Sequence, residues 1–209
     1  MDIIRKYFPK LSDQQFEQFE QLGSLFQEWN QKINLVSRKD INNLYERHIL
    51  HSLTITKFIR FQPNARILDL GTGGGFPGIP LAIFFPQTQF KLIDGTRKKI
   101  HVVQDLIEQL DLSNAQAQQV RAEELKKEKF DFVVSRAVAS LDKLLLWSKP
   151  LIRNQQIHAT PNGLITLKGG NIEVEIKALS KEEYIEEYPL KEWFDIDYFS
   201  EKYLIYVQI

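Results

Sequence analysis

Residues Asp69 to Pro80, DLGTGGGFPGIP, follow the apolar run RIL and join a carboxylate to a cluster of glycines and two prolines. Glycine lets a backbone turn tightly and come close to a ligand. Gly73, Gly75 and Gly78 fit G-x-G-x-x-G, with Asp94 about twenty residues on, where a dinucleotide-binding turn keeps the acid that takes ribose hydroxyls. Overlaid on it is D-x-G-x-G-x-G, formed by Asp69, Gly71, Gly73 and Gly75. The bare first pattern also suits an ordinary tight turn. Asp69 separates the ligand classes: a carboxylate within roughly a Debye length would repel a pyrophosphate. It suits a ligand with a positive end, such as the amino and sulfonium groups of S-adenosylmethionine. Pro77 is expected to preset the first turn of a following helix, where its missing N–H costs nothing.

The elements that must position these residues read as follows. Ser12 is the expected cap of a helix in which Phe16, Phe19, Leu22, Leu25, Phe26 and Trp29 recur at three- and four-residue spacing. Ser37 is the expected cap of a second helix, KDINNLYERHILHSLTITKFI. From Arg66 short apolar runs alternate with helical ones: strands at RILDL, QFKLID, AQAQQV, FDFVVS and GLITLK, with helices from near Pro77 and at TRKKIHVVQDLIEQL, SLDKLLLWSKPLI and NIEVEIKAL. Two further strands, near WFDIDYF and KYLIYVQI, suggest an antiparallel pair. Such alternation argues a mostly parallel, doubly wound sheet that binds ligands beyond the carboxyl ends of its strands.

Composition narrows the class. Among 209 residues there is no cysteine, so disulfides and thiolate metal sites are excluded. No stretch of 18 apolar residues occurs, and a soluble, cytoplasmic, monomeric protein without a membrane partner is expected. The 27 basic and 27 acidic residues cancel, so a nucleic-acid partner would have to be met by a local basic face. His48 and His51 stand three apart on a helix, but with no third ligand nearby no metal is expected.

The run DLGTGGGFPGIPLAI, with VRAEE, VVSRAVASL and LITLKGG downstream and WNQKINLVSRKDINNLYERHILHSL upstream, resembles the bacterial small-subunit ribosomal RNA methyltransferase G family. The resemblance runs in order from about Trp29 to Gly170. It implies a class I S-adenosylmethionine-dependent methyltransferase fold (Rossmann-like α/β), a seven-stranded mostly parallel sheet with an antiparallel last strand. An N-terminal helical extension, residues 1–62, would pack on a methyltransferase domain, residues 63–209. The implied activity is methyl transfer from S-adenosylmethionine to N7 of one guanine in the decoding region of 16S rRNA, within the small ribosomal subunit or an assembly intermediate.

Carried over residue by residue, the resemblance puts cofactor contacts on Gly71, Phe76, Ala122, Glu123 and Arg136, alongside Asp69, Gly73 and Gly75 of the loop. Asp94 is the expected ribose ligand, and Ala122 and Glu123 are expected beside the adenine. Lys98, Arg121, Arg136 and Lys168 match the family's basic residues and are expected to position the nucleotide. The chain departs from the family at Gly95, where Ser usually follows the strand-end Asp, and at His51, where Asp is common.

Guanine N7 carries an in-plane lone pair and no proton, so no general base is expected and orientation is the enzyme's main task. A bland reading stands beside each choice: Asp69 and Asp94 as turn or cap residues, Arg121, Arg136 and Lys168 as solvated charges, Trp29 and Asn30 as packing. Three rival functions remain at this point: a nicotinamide-dependent reductase on the same turn, a ribosomal RNA-binding module with a vestigial pocket, and a methyltransferase for small molecules or proteins.

Overall fold

The computed structural model describes residues 1–125, 128–180 and 182–209. Its helical first part follows the aromatic spacing. Helix α1 spans Asp2–Tyr7 and α2 spans Asp13–Lys32. Ser12 and Gln15 form a reciprocal capping box, each side chain accepting from the other's backbone amide, so two otherwise orphaned N–H groups are satisfied. Phe16, Phe19, Leu22 and Phe26 turn inward and share one apolar cluster with residues of the sheet, such as Ile67, Phe90 and Phe132.

The next stretch departs from the expected single helix. It forms α3 (Arg38–Ile41), a π-helical turn (Tyr45–Leu50), α4 (His51–Leu53) and α5 (Ile55–Phe58). Ser37 caps α3 as expected, its hydroxyl accepting from the Asp40 amide. The interruption has a cause in the sequence SLTIT. The hydroxyls of Ser52, Thr54 and Thr56 donate to the carbonyls of His48, His51 and Leu53 at 2.6, 2.7 and 2.7 Å, in competition with helix amides.

Strands β1 (Arg66–Leu70), β2 (Gln89–Asp94), β3 (Ala115–Gln119), β4 (Phe132–Arg136) and β5 (Gly163–Gly169) run parallel. Helices α6 (Gly78–Phe84), α7 (Arg97–Gln109) and α8 (Leu141–Ser148) lie between them, and α9 (Ile172–Lys177) follows β5. Pro77 is the residue before α6 rather than its first turn. The sheet order is β3-β2-β1-β4-β5-β7-β6, with β7 (Lys202–Gln208) antiparallel to both β5 and β6 (Ile185–Pro189).

The antiparallel partner of β7 is therefore not WFDIDYF. That segment ends in the 3-10 turn Asp197–Phe199, and both Phe194 and Phe199 are fully buried. Five residues apart, two inward aromatics break the alternation a half-buried strand needs. β1 sits between β2 and β4, where the order of the sheet reverses, so a crevice opens beyond Leu70 and Arg136.

Candidate active site

The loop after β1 holds Gly71, Gly73 and Gly75 at φ of 73°, 59° and 99°, the three glycines of the D-x-G-x-G-x-G pattern. Asp69 is fully buried beneath this loop rather than facing a ligand. Its Oδ2 accepts from the Thr72 hydroxyl at 2.6 Å and the Gly78 amide at 2.8 Å. Gly78 is needed for that approach, because a Cβ there would lie 2.6 Å from the same oxygen. Burial pushes the Asp69 carboxyl up to about 7, against the pull of those two donors, and its Oδ1 has no hydrogen-bond partner among the described residues. The expected repulsion of a pyrophosphate thus gives way to a loop-shaping role. Asp94 does face the opening: it accepts from the Gly73 amide at 3.1 Å and the Thr96 amide at 2.8 Å.

Two hollows meet here. A trough of about 300 Å³ is lined by Asp94, Gly95, Arg121, Ala122, Glu123 and Trp147. It shares Gly71, Asp94 and Val138 with a cleft of about 690 Å³. The expected adenine neighbours Ala122 and Glu123 and the expected ribose ligand Asp94 are thus brought together. So is Arg121, whose stem passes close over Gly95. The missing Ser side chain at 95 leaves room that Arg121 covers. Trp147, on α8, escaped the sequence reading; it supplies a large apolar wall, and its place next to SLDKLLL resembles ordinary helix packing.

A nucleoside with a charged tail fits this shape. A Cβ on Gly73 would meet nothing within 4 Å, so the loop there borders open space. The apolar wall suits a base, the Asp94 carboxylate suits a ribose, and the polar cleft suits an amino-acid end.

The cleft gathers charge that the composition hides. Arg47, Lys99, Arg136, Lys168 and Lys202 line it, against Asp40, Asp94 and Glu175. Arg136 donates from Nη1 to the Arg47 carbonyl at 3.1 Å and from Nη2 to His48 Nδ1 at 3.0 Å, and its guanidinium lies 5.2 Å from the centre of the Phe76 ring. Burial lowers Arg136 to about 10. A guanidinium only donates, so His48 accepts at Nδ1 and carries its proton on Nε2. Burial first, and the Arg136 charge second, bring His48 down to about 3.

Phe76 is buried under Arg136, between Phe26 and His48, so it supports the cleft floor. Lys168 donates to the Ala139 carbonyl and to Glu175 Oε2, a partner the sequence reading missed. Lys98 is exposed and outside the cleft wall, which takes its neighbour Lys99 instead. His51 is buried against Tyr198 and Phe199. Among the described residues no group of three or more metal-ligating side chains gathers. Asn30 is structural with a consequence: its Oδ1 accepts from the amides of Leu35 and Val36, both at 2.9 Å, which fixes one wall of the cleft.

The family described as rRNA small subunit methyltransferase G matches residues 15–192 of this chain. The chain belongs to that family. It is similar to the protein named ribosomal RNA small subunit methyltransferase G of Phocaeicola vulgatus, at 51% identity over all of this chain and 99% of that one. The protein of the same name in Flavobacterium johnsoniae is 49% identical over all of this chain and 98% of its own.

In fold the chain resembles an S-adenosylmethionine-dependent methyltransferase from Aquifex aeolicus (14% identity, TM-score 0.57, 82% of this chain and 98% of that one). It also resembles fibrillarin of Aeropyrum pernix with S-adenosylmethionine bound (15% identity, TM-score 0.57, 77% and 74%). The chain is thus a class I S-adenosylmethionine-dependent methyltransferase, and the reductase and vestigial-module readings fall away. Among the described residues no helix is long and apolar enough to cross a membrane.

Proposed function

We propose that the protein methylates N7 of a guanine in 16S rRNA, in the cytoplasm and as a monomer, on RNA held in the small subunit or an assembly intermediate. The observation that carries this reading is the cleft beside the glycine loop, in which Lys99, Arg136 and Lys202 make no ion pair among the described residues. Cations left unpaired in a partly dry cleft call for an anionic ligand, and RNA brings a phosphate with each nucleotide. The neutral total charge is no obstacle, because basic side chains outnumber acidic ones along the cleft itself.

S-adenosylmethionine, when bound, supplies a methyl group on a positively charged sulfur to a nucleophile in line with it. Ala122, Glu123 and Trp147 would hold the adenine, and Asp94 the ribose. Gly71 and Gly73 would let the backbone approach the cofactor, while Asp69, Gly75 and Phe76 keep the loop and floor in shape. Arg136, rigid on two acceptors, has three further N–H groups for guanine O6 or a flanking phosphate. Lys168, Lys99 and Arg121 would steady the strand, and Lys98 is a peripheral RNA contact at most. None of these residues has to move a proton, because N7 has none to lose.

Residues 1–62 are proposed as a helical extension on a methyltransferase domain of residues 63–209, contributing Leu35, Val36, Arg47 and His48 to the cleft. The test is methyl transfer from radiolabelled S-adenosylmethionine to small subunits from cells lacking the activity, with naked rRNA and total protein in parallel. Label in RNA is expected, and the better of the two RNA acceptors identifies the assembly state. Label only in protein, or in no acceptor while cofactor binds, overturns the reading.

A further inference from the structure

Beyond Arg136 the cleft has a second cationic group, in which Arg47 and His51 of the upstream family-like motif meet Tyr198 and Lys202 of the C-terminal segment. Tyr198, in the 3-10 turn Asp197–Phe199, is its centre. The Arg47 guanidinium carbon and the Lys202 Nζ each lie 5.4 Å from the centre of its ring. Its hydroxyl lies 3.3 Å from His51 Nδ1 and 3.4 Å from the Arg47 carbonyl, the same carbonyl that anchors Arg136. All four residues border the large cleft.

We propose that Arg47 and Lys202, held by Tyr198, form the subsite that takes a phosphodiester of the RNA strand next to the target nucleotide. The proposal rests on the RNA reading above. Three observations support it. Lys202 makes no ion pair among the described residues, although it lines a cleft and is only partly exposed.

Its path is also fixed. The side chain crosses Gly169, its cross-strand partner, so closely that a Cβ there would lie 2.6 Å from Nζ and 3.0 Å from Cδ. A lysine lying between a glycine and an aromatic ring has given up much of the freedom a solvated lysine keeps.

Charge balance is the third observation. Facing the group are Asp40, which pairs with Arg47 at 3.0 Å, Glu46 and Arg136, whose charges also act on Tyr198, and His51, kept neutral by burial and by the charges of Arg136 and Lys202. The neutral His51 adds no negative charge to the group. Asp40 is engaged by Arg47, so among the described residues Lys202 is left without an ion pair. Phosphate contacts of this kind fix the register of a nucleic acid without reading its sequence, which is what a positioning enzyme needs beside its target base.

The test uses oligouridine, a single strand that offers phosphodiesters without the target base. Its affinity for the full-length protein is measured from low to high salt, alongside S-adenosylmethionine affinity. Removing one cation that neutralises a phosphate of a single strand lowers the slope of log K against log salt by about 0.7. Lys202→Ala is expected to lower it by that amount, Lys202→Arg to restore it and Tyr198→Leu to weaken binding as much or more. Gly169→Ala, which pushes Lys202 aside, should mimic Lys202→Ala. Tyr198→Phe, which keeps the ring, should leave most of the slope. Cofactor affinity should stay within twofold in the Lys202 variants, which also reports that they fold.

An unchanged slope in Lys202→Ala, or a loss of cofactor affinity in place of oligouridine affinity, overturns the subsite; the second result would give Lys202 to the carboxylate of the cofactor. Wild-type protein that binds no oligouridine overturns it too. If the slopes behave as expected while no rRNA is methylated, the subsite stands and the rRNA reading falls.

Discussion

Arg136 and His48 are joined by a 3.0 Å hydrogen bond in which a guanidinium is held by a neutral imidazole. The distinction matters because a carboxylate in that place would cancel the charge the cleft exists to present. Geometry is fixed and the positive charge is kept. Arg136→Lys keeps the charge but cannot reach the Arg47 carbonyl and His48 Nδ1 in the same fork. Turnover should fall by about 100-fold, the scale of a 1 Å misplacement, with cofactor affinity changed little. Single-turnover kinetics with a cofactor titration checks this.

His48 and Asp69 predict an acid limb of stability with opposite signs. His48 is lowered from 6.5 to about 3, and His51 lies well below 6.5, both chiefly by burial. Their contribution is whole above the unfolded value of 6.5 and drains away as the pH falls towards 3. Asp69 is raised from 3.8 to about 7, so its contribution is whole below 3.8 and is lost as the pH rises through 7. Between these limits, acidification removes the support of two histidines while restoring that of one aspartate. The urea midpoint should therefore fall on acidification through that window, more steeply in Asp69→Asn and less steeply in His51→Gln.

The loop glycines predict different penalties. At Gly71 a Cβ would lie 2.5 Å from Val138 Cγ2, at φ 73°, so Gly71→Ala should displace Val138 and cost cofactor affinity roughly tenfold or more, as a strained binding loop would. At Gly73 the space is open, and Gly73→Ala should cost only the left-handed backbone term of about 1 kcal/mol. Isothermal titration with S-adenosylmethionine and thermal melts separate the two effects.

Asn30 links the first helices to the cleft wall. Asn30→Ala leaves the amides of Leu35 and Val36 without their acceptor and should destabilise by about 1–3 kcal/mol for each amide kept from water. Asn30→Asp retains the acceptor and should recover much of the loss in a denaturant titration.

The sequence and the structure agree where local chemistry decides. The D-x-G-x-G-x-G loop, the strands β1 and β2 and the capping box at Ser12 depend on neighbours a few residues apart. They diverge where the sheet brings distant residues together. Trp147 reaches the trough beside Asp94, Glu175 reaches Lys168 and Tyr198 reaches Arg47 only through strand order, and no spacing announces them. Lys98 and Lys99 differ by one residue, which on a helix is a rotation of about 100° and decides which of them meets the cleft. Asp69 is expected from its place in the motif to face a ligand, but its direction, down into the loop, follows from hydrogen bonds to Thr72 and Gly78. The strand at Ile185–Pro189 lacks a buried face of its own and takes its form from pairing with β7.

The most direct test of the central claim is to map the modified base. Small subunits or rRNA labelled by the protein would be treated for strand cleavage at N7-methylguanosine, and the cut located by primer extension. A single cut at one guanine, absent without enzyme and strongly reduced with Arg136→Lys, is the predicted result. Label in RNA without N7 cleavage, or cuts spread over many guanines, would contradict the proposal that the cleft positions one guanine with its N7 free towards the methyl donor.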